Sequence, residues 1–286
     1  MKISSVASGE DTPTTRGGDR RFTDLLNGDD DAKDNFRLIH AQQKGEFSGP
    51  RHRHNFDQIR YCISGAMNYG PNCWVKEGEV AYYPEGAYYG PEVSDKEYVV
   101  LALQFGGPSG LGFTSSRRIA EGMEQLKAYG TFEKGIFRRS GELPPGARRN
   151  QDAFEAVWEH LNGRRLEYPT PRYPGPILIK PDSFAWSPYG TDRDVWIKRL
   201  GVFTERSVEI SMLRIGANAE FTMRHRPATQ IGIILSGAGQ ISAEKYGALT
   251  AFSLQRDDTA KLRTEAETSM LLIGLPLFQE AWPAVA

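Results

Sequence analysis

Short runs of apolar residues that alternate with polar ones, broken every few positions by Gly, Pro, Asn or Asp, fill most of the chain. Alternation with period two sends successive side chains to opposite faces of a strand, so this texture predicts β-structure. From Phe36-Arg37-Leu38-Ile39-His40 onward the runs predict strands near 52–54, 58–63, 66–69, 79–83 and 97–105. Gly70-Pro71-Asn72, Glu77-Gly78, Pro84-Glu85-Gly86 and Gly90-Pro91 mark the turns between them. The same texture returns at 177–180, 195–198, 208–215, 231–235, 238–242 and 270–273. Many short strands at such spacing predict an all-β protein built from antiparallel sandwiches or barrels.

The middle of the chain breaks this pattern. Behind Ser115 or Ser116 as N-cap, Ile119, Met123 and Leu126 recur at i, i+4 and i+7, and Gly130 ends the run, which predicts a helix. A second helix is predicted over about 151–162, capped by Asn150, ended by Gly163 and striped with Phe154, Val157, Trp158 and Leu161. His160 falls within it and reads as a packing or surface residue. The run Tyr168-Pro169-Thr170-Pro171-Arg172-Tyr173-Pro174-Gly175-Pro176 must be extended, because proline fixes its own backbone and pushes its predecessor out of the helical region. It reads as a strap between two halves. Residues 1–34 are polar, end in Asp29-Asp30-Asp31 and hold too little apolar surface to order by themselves, so they read as a flexible arm anchored by Phe22, Leu25 and Leu26.

The two halves repeat. Gln58-Ile59-Arg60-Tyr61-Cys62-Ile63-Ser64-Gly65-Ala66 can be laid on Gln230-Ile231-Gly232-Ile233-Ile234-Leu235-Ser236-Gly237-Ala238, an offset of 230 minus 58, or 172. Gln, Ile, Ser, Gly and Ala coincide, and a histidine precedes each copy, His54 and His225. A duplicated domain follows. The expected organisation is an arm at 1–34, a first barrel at 35–107, a helical and Pro-rich connector at 108–176 and a second barrel at 177–286.

Composition changes this picture little. With 286 residues, 39% hydrophobic, 25% charged and a net charge of -1, the chain has the profile of a soluble globular protein. Scattered charge offers no footprint for nucleic acid. No run approaches the roughly 18 apolar residues of a membrane span, and the first residues lack the apolar core of a secretory signal. A cytoplasmic protein with Cys62 and Cys73 as reduced thiols is the expectation.

Candidate chemistry concentrates in Gly49-Pro50-Arg51-His52-Arg53-His54-Asn55-Phe56-Asp57-Gln58, which holds two of the five histidines. In a strand, His52 and His54 share a face, Gln58 begins the next strand, and Tyr89 follows a Pro-x-Gly turn that returns the chain toward them. Alternation also puts Gln58, Arg60 and Cys62 on one inner face. An inward Arg is costly unless paired, so Arg60 is expected to meet the carboxylate or enolate of a substrate, to form a structural ion pair, or to snorkel toward the barrel mouth. Asp57 points to the opposite face of a regular strand, unless a bulge turns it in.

This stretch resembles the first motif of the cupin superfamily: Gly, five residues, His-x-His, three or four residues, Glu, six residues, Gly. His52, His54, Gln58 and Gly65 occupy those places, save that Gln58 stands where the family has Glu. The second motif, Gly, five residues, Pro-x-Gly, two residues, His, is met by Gly78, Pro84, Gly86 and then Tyr89 in the place of His. The resemblance spans about 36–105 and 200–275 and implies two antiparallel cupin barrels. It also implies a divalent metal ion (Fe, Mn, Ni, Cu or Zn) at His52, His54, Gln58 and Tyr89, with Arg60 orienting an anionic substrate. Imidazole suits all of these metals, whereas Gln and Tyr bring no obligatory anionic ligand. In the second copy Met223 takes the first His place, His225 the second and Gln230 the Gln place, so that half is expected to bind no metal. A homodimer is implied as well. Three functions remain open at this point: a metal-dependent oxidoreductase of dioxygenase type acting on a small oxygenated molecule, a non-redox isomerase or lyase in which a histidine or Tyr89 moves a proton, and a non-catalytic module binding a sugar-like ligand.

Overall fold

The computed structural model describes residues 1–12, 19–30, 32–133, 135–143, 145–223 and 226–278. Two seven-stranded antiparallel sheets carry the fold. The first runs in the order Ile177–Ile179, Val80–Tyr83, Asp57–Ser64, Tyr98–Phe105, Phe36–Gln43, Arg20–Asn27 and Glu10–Thr12. Phe47–Gly49 with Glu92–Ser94, and Ala66–Gly70 with Cys73–Lys76, face it across a core that includes Ile39, Cys62, Met67, Val75, Tyr83 and Tyr89. The second runs Lys2–Ser5, Thr250–Leu254, Gln230–Ser236, Thr268–Gly274, Glu209–Ile215, Val195–Val202 and Ser187–Pro188. A four-stranded sheet, Glu220–Thr222, Lys261–Thr264, Gly239–Ile241 and Glu244–Tyr246, faces that one.

Alternation decides what each face of these sheets does. On Asp57–Ser64 the side chains of Ile59, Tyr61 and Ile63 leave the first barrel, while Cys62 joins its interior. The outward apolar residues meet their counterparts from the second copy: Leu38, Ile59, Leu101 and Leu103 share one buried cluster with Ile231, Ile233, Leu271 and Ile273. Burying each such side chain contributes about 1.5–3 kcal/mol, so the two barrels are held back to back by their own sheets. The repeated Ser-Gly-Ala turn has a steric cause. Gly65 and Gly237 have φ of 75° and 101°, and a Cβ there would lie 2.6 Å from Glu97 O and 2.5 Å from Thr268 Oγ1.

The N-terminal segment departs from the flexible-arm expectation. Lys2–Ser5 adds to the second sheet beside Thr250–Leu254, and Glu10–Thr12 and Arg20–Asn27 extend the first. Leu25 and Leu26 are buried there. Apolar content measures what a segment buries alone, and here distant sheet edges supply the missing surface and hydrogen bonds. Residues 13–18 lie outside the described residues. Likewise Ile177–Ile179 pairs with Val80–Tyr83 of the first sheet, so each barrel takes a strand from beyond its expected boundary.

The connector holds the two helices, Ser116–Leu126 and Ala153–Asn162, and a three-stranded sheet, Gly130–Glu133, Ile136–Arg139 and Asn150–Asp152. Ser115 caps the first helix. Asp152, not Asn150, caps the second, because Asn150–Asp152 is occupied in pairing with Ile136–Arg139. Gly163 ends it with φ 62°. Cys62 and Cys73 are free thiols. Among the described residues no helix is long and apolar enough to cross a membrane.

Candidate functional site

The strand expected at 52–54 is reduced to one bridge. His52 N donates to Tyr89 O and Tyr89 N to His52 O, both at 3.0 Å, and no ladder continues from them. The Pro-x-Gly turn is tied to the same segment by Gly86 N donating to His54 O at 2.8 Å. The arginines of Arg51-His52-Arg53-His54 stack on tyrosines: Arg53 lies 4.7 Å from the Tyr88 ring and 3.9 Å from the Tyr168 ring, and Arg51 4.4 Å from Tyr88. The two imidazoles come together, 5.1 Å between ring centroids in a T-shaped contact. Tyr89 stands 4.3 Å from His52 and 6.0 Å from His54. Pro50 O accepts from His52 Nδ1 at 2.8 Å, which places that ring's proton on Nδ1 and its basic nitrogen at Nε2.

Gln58, Arg60 and Tyr89 form a second layer. Tyr89 OH accepts from Gln58 Nε2 at 3.0 Å and from Arg60 at 3.1 Å. Gln58 Oε1 accepts from Arg60 at 3.2 Å and from Gln104 Nε2 at 3.3 Å. Arg60 also pairs with Glu92 at 2.6 Å, donates to Met67 Sδ at 3.5 Å and lies 4.4 Å from the Tyr83 ring. Burial would lower the pKa of Arg60, yet Glu92, Tyr83 and Tyr89 hold it well above the ordinary arginine value. Arg60 therefore stays charged. Beside it the Tyr83 hydroxyl is buried and, among the described residues, without a hydrogen-bond partner.

All five sequence-predicted residues, His52, His54, Gln58, Arg60 and Tyr89, thus converge in the first barrel. Glu92 was missed, although the need of an inward Arg for a carboxylate announced such a partner without locating it. The aromatic rings over His54 were missed too: Phe56 stacks on it at 4.5 Å and Phe154, from the connector helix Ala153–Asn162, meets it edge-on at 5.2 Å. Asp57 turns away from this cluster, as alternation requires. Its carboxylate accepts from Tyr82 OH at 2.7 Å and Glu85 N at 2.8 Å. Burial pushes its pKa up to about 7, opposed by the Tyr82 hydrogen bond and reinforced by the Glu85 carboxylate. Glu85 is raised by burial as well, opposed by Ser109 and by Arg172, which joins Glu85 at 2.8 Å and also pairs with Glu205 of the second half.

Whether these side chains suit a divalent ion depends on the oxygens of Gln58 and Tyr89. An ion about 2.1 Å from either oxygen would lie within about 5 Å of the guanidinium that already donates to both. At an effective dielectric of 20, charges of +2 and +1 at that distance repel by about 7 kcal/mol. Glu92 offsets part of this repulsion but does not release the lone pairs that Arg60 uses. The four-residue set does not fit a resident divalent ion in this arrangement, and two imidazoles are left. Among the described residues, no three of His, Cys, Asp and Glu gather where they could hold a metal.

Among the described residues, the second barrel carries no such cluster. Gly232 stands where Arg60 stands in the repeat, and the Phe252 ring presses on it, so closely that a Cβ would lie 2.1 Å away. Met223 is buried among apolar residues, and His225 lies outside the described residues.

No family model and no curated protein matches the chain. Solved structures do match. A "putative dioxygenase" from Nostoc punctiforme superposes with a TM-score of 0.61 at 12% identity, over 98% of this chain and 84% of its own. A variant of Bacillus subtilis oxalate decarboxylase gives 0.57 at 14% identity, over 97% of this chain and 78% of its own. A protein from Geobacillus kaustophilus gives 0.54 at 12% identity, over 98% and 97%. Another structure of the Bacillus decarboxylase concerns its Mn(II) centres. Identities this low establish the fold, which is the all-β, two-barrel cupin fold that the motifs implied.

Proposed function

We propose that the first barrel is the active site of a small-molecule enzyme that moves a proton on an oxygenated organic substrate, in the manner of an isomerase or lyase, without a resident metal ion. The observation that carries this reading is that the oxygens of Gln58 and Tyr89 are taken up by Arg60. His52 supports it, since a backbone carbonyl fixes its tautomer as the orienting partner of a general base does. In this reading His52 Nε2 takes a proton from the substrate. Tyr89, held by Gln58 and Arg60, faces the charge that develops, and the buried Tyr83 hydroxyl meets a substrate oxygen.

A panel of small keto and hydroxy compounds in D2O, with EDTA and without oxygen, tests the reading by mass spectrometry. Deuterium enters the carbon next to the carbonyl with wild type and not with His52→Ala. No incorporation by wild type across the panel, or equal incorporation by the variant, contradicts it. A second reading, a metal-dependent oxidoreductase of dioxygenase type, draws on the His52–His54 pair and on the names of the structural neighbours. Turnover that needs added metal and consumes oxygen would establish it instead. The homodimer implied by the resemblance would use surfaces other than the barrel backs, which are buried against each other.

A further inference from the structure

Relative to the cupin motifs, the first barrel keeps the two imidazoles and changes the other two ligand types, and the two changed residues are the two whose oxygens accept from Arg60. The guanidinium explains why these changes belong together. Arg60 and Glu92, 12% and 6% exposed, pair at 2.6 Å, and the largely buried Arg20 lies in the field of both. A divalent ion there would add two positive charges beside buried cations, whereas neutral Gln58 and Tyr89 both hydrogen-bond to the Arg60 guanidinium. Tyr83 and Tyr89 flank the same cation, 4.4 and 5.2 Å from their ring centroids. The second barrel of the same chain is an internal comparison: Gly232 replaces Arg60, and the Phe252 ring, part of a buried apolar cluster, fills the space.

We propose that Arg60 is the resident cation of the first barrel, that it takes over the oxygens a metal ion would need, and that it thereby excludes divalent ions from a scaffold otherwise shaped to hold one. The inference rests on the metal-free reading above, and the experiment separates the two. Wild type, R60M/E92Q, Q58E/Y89H and the combined four-substitution variant are titrated with Mn(II) and Zn(II) by calorimetry, after circular dichroism has checked their folding. Pairing R60M with E92Q removes both charges and leaves neither buried alone.

The four-substitution variant takes up about one ion per chain, at least about tenfold more tightly than Q58E/Y89H, the scale at which residues behind metal ligands act. Equal affinity in those two variants overturns the role of Arg60 while leaving the metal-free reading of wild type intact. An ion held by wild type and lost in H52A/H54A overturns both. Should the four-substitution variant not fold, R60M/E92Q decides: Zn(II) raises its melting temperature and not that of wild type, whereas identical responses refute the proposal.

Discussion

Replacing Glu92 by Gln removes one member of the pair at the centre of the barrel. Both side chains are nearly enclosed, 12% and 6% exposed, with 2.6 Å between Arg60 nitrogen and Glu92 oxygen. Stranding one charge of a buried pair costs about 3–5 kcal/mol. Arg60 keeps its hydrogen bonds to Gln58 and Tyr89 and its stacking on Tyr83, which places E92Q near the lower end, at about 3 kcal/mol. For a chain of this size each kcal/mol moves the melting temperature by about 2–4 °C, so the expected fall is about 6–12 °C. Thermal and urea unfolding followed by circular dichroism measures it. R60M/E92Q, which strands no charge, should cost less than E92Q alone, so the double-mutant cycle shows strong coupling. A loss below about 1 kcal/mol for E92Q, the range of exposed pairs, or a double variant equal to the sum of the singles, would refute the argument that the pair is buried and coupled.

Three other substitutions probe the surroundings of the site. Asp57 has its pKa raised from 3.8 to about 7, so between those values the folded chain binds more protons than the unfolded one and stability falls as pH rises. Asp57→Asn should remove a slope of up to about 1.4 kcal/mol per pH unit in that window, measured by urea unfolding from pH 4 to 8; an unchanged slope contradicts the assignment. Gly107→Ala would put a Cβ 2.3 Å from Glu85 Oε2 and 3.2 Å from Asp57 Oδ1, so a loss of about 1–3 kcal/mol is expected. Phe154→Ala uncovers His54 and should speed its modification by diethyl pyrocarbonate, read by peptide mass spectrometry, while an unchanged rate would show that the connector does not shield it.

The face of each strand was legible because alternation is local: Ile59 and Tyr61 leave the barrel and Cys62 enters it, as period two demands. The Ser-Gly-Ala repeat was legible because its turn admits only glycine at the central position. What was not legible depends on distant partners. Lys2–Ser5 finds its edge at Thr250–Leu254, and no local feature announces that pairing. The apolar stripe of Ala153–Asn162 divides between two neighbours that periodicity does not tell apart: Val157 packs with Leu126 and Phe137, while Phe154 covers His54. Motif spacing singles out Gln58 and Tyr89 as the places of ligands, but whether their oxygens are available to an ion depends on Arg60 and Glu92, which that spacing does not include.

The most direct test of the metal-free barrel is elemental analysis of the wild-type protein, saturated with Mn(II), Fe(II) or Zn(II), dialysed, and compared with H52A/H54A. Both proteins should retain well under one ion per chain and the same amount as each other; about one ion per wild-type chain, absent from the variant, would contradict the account.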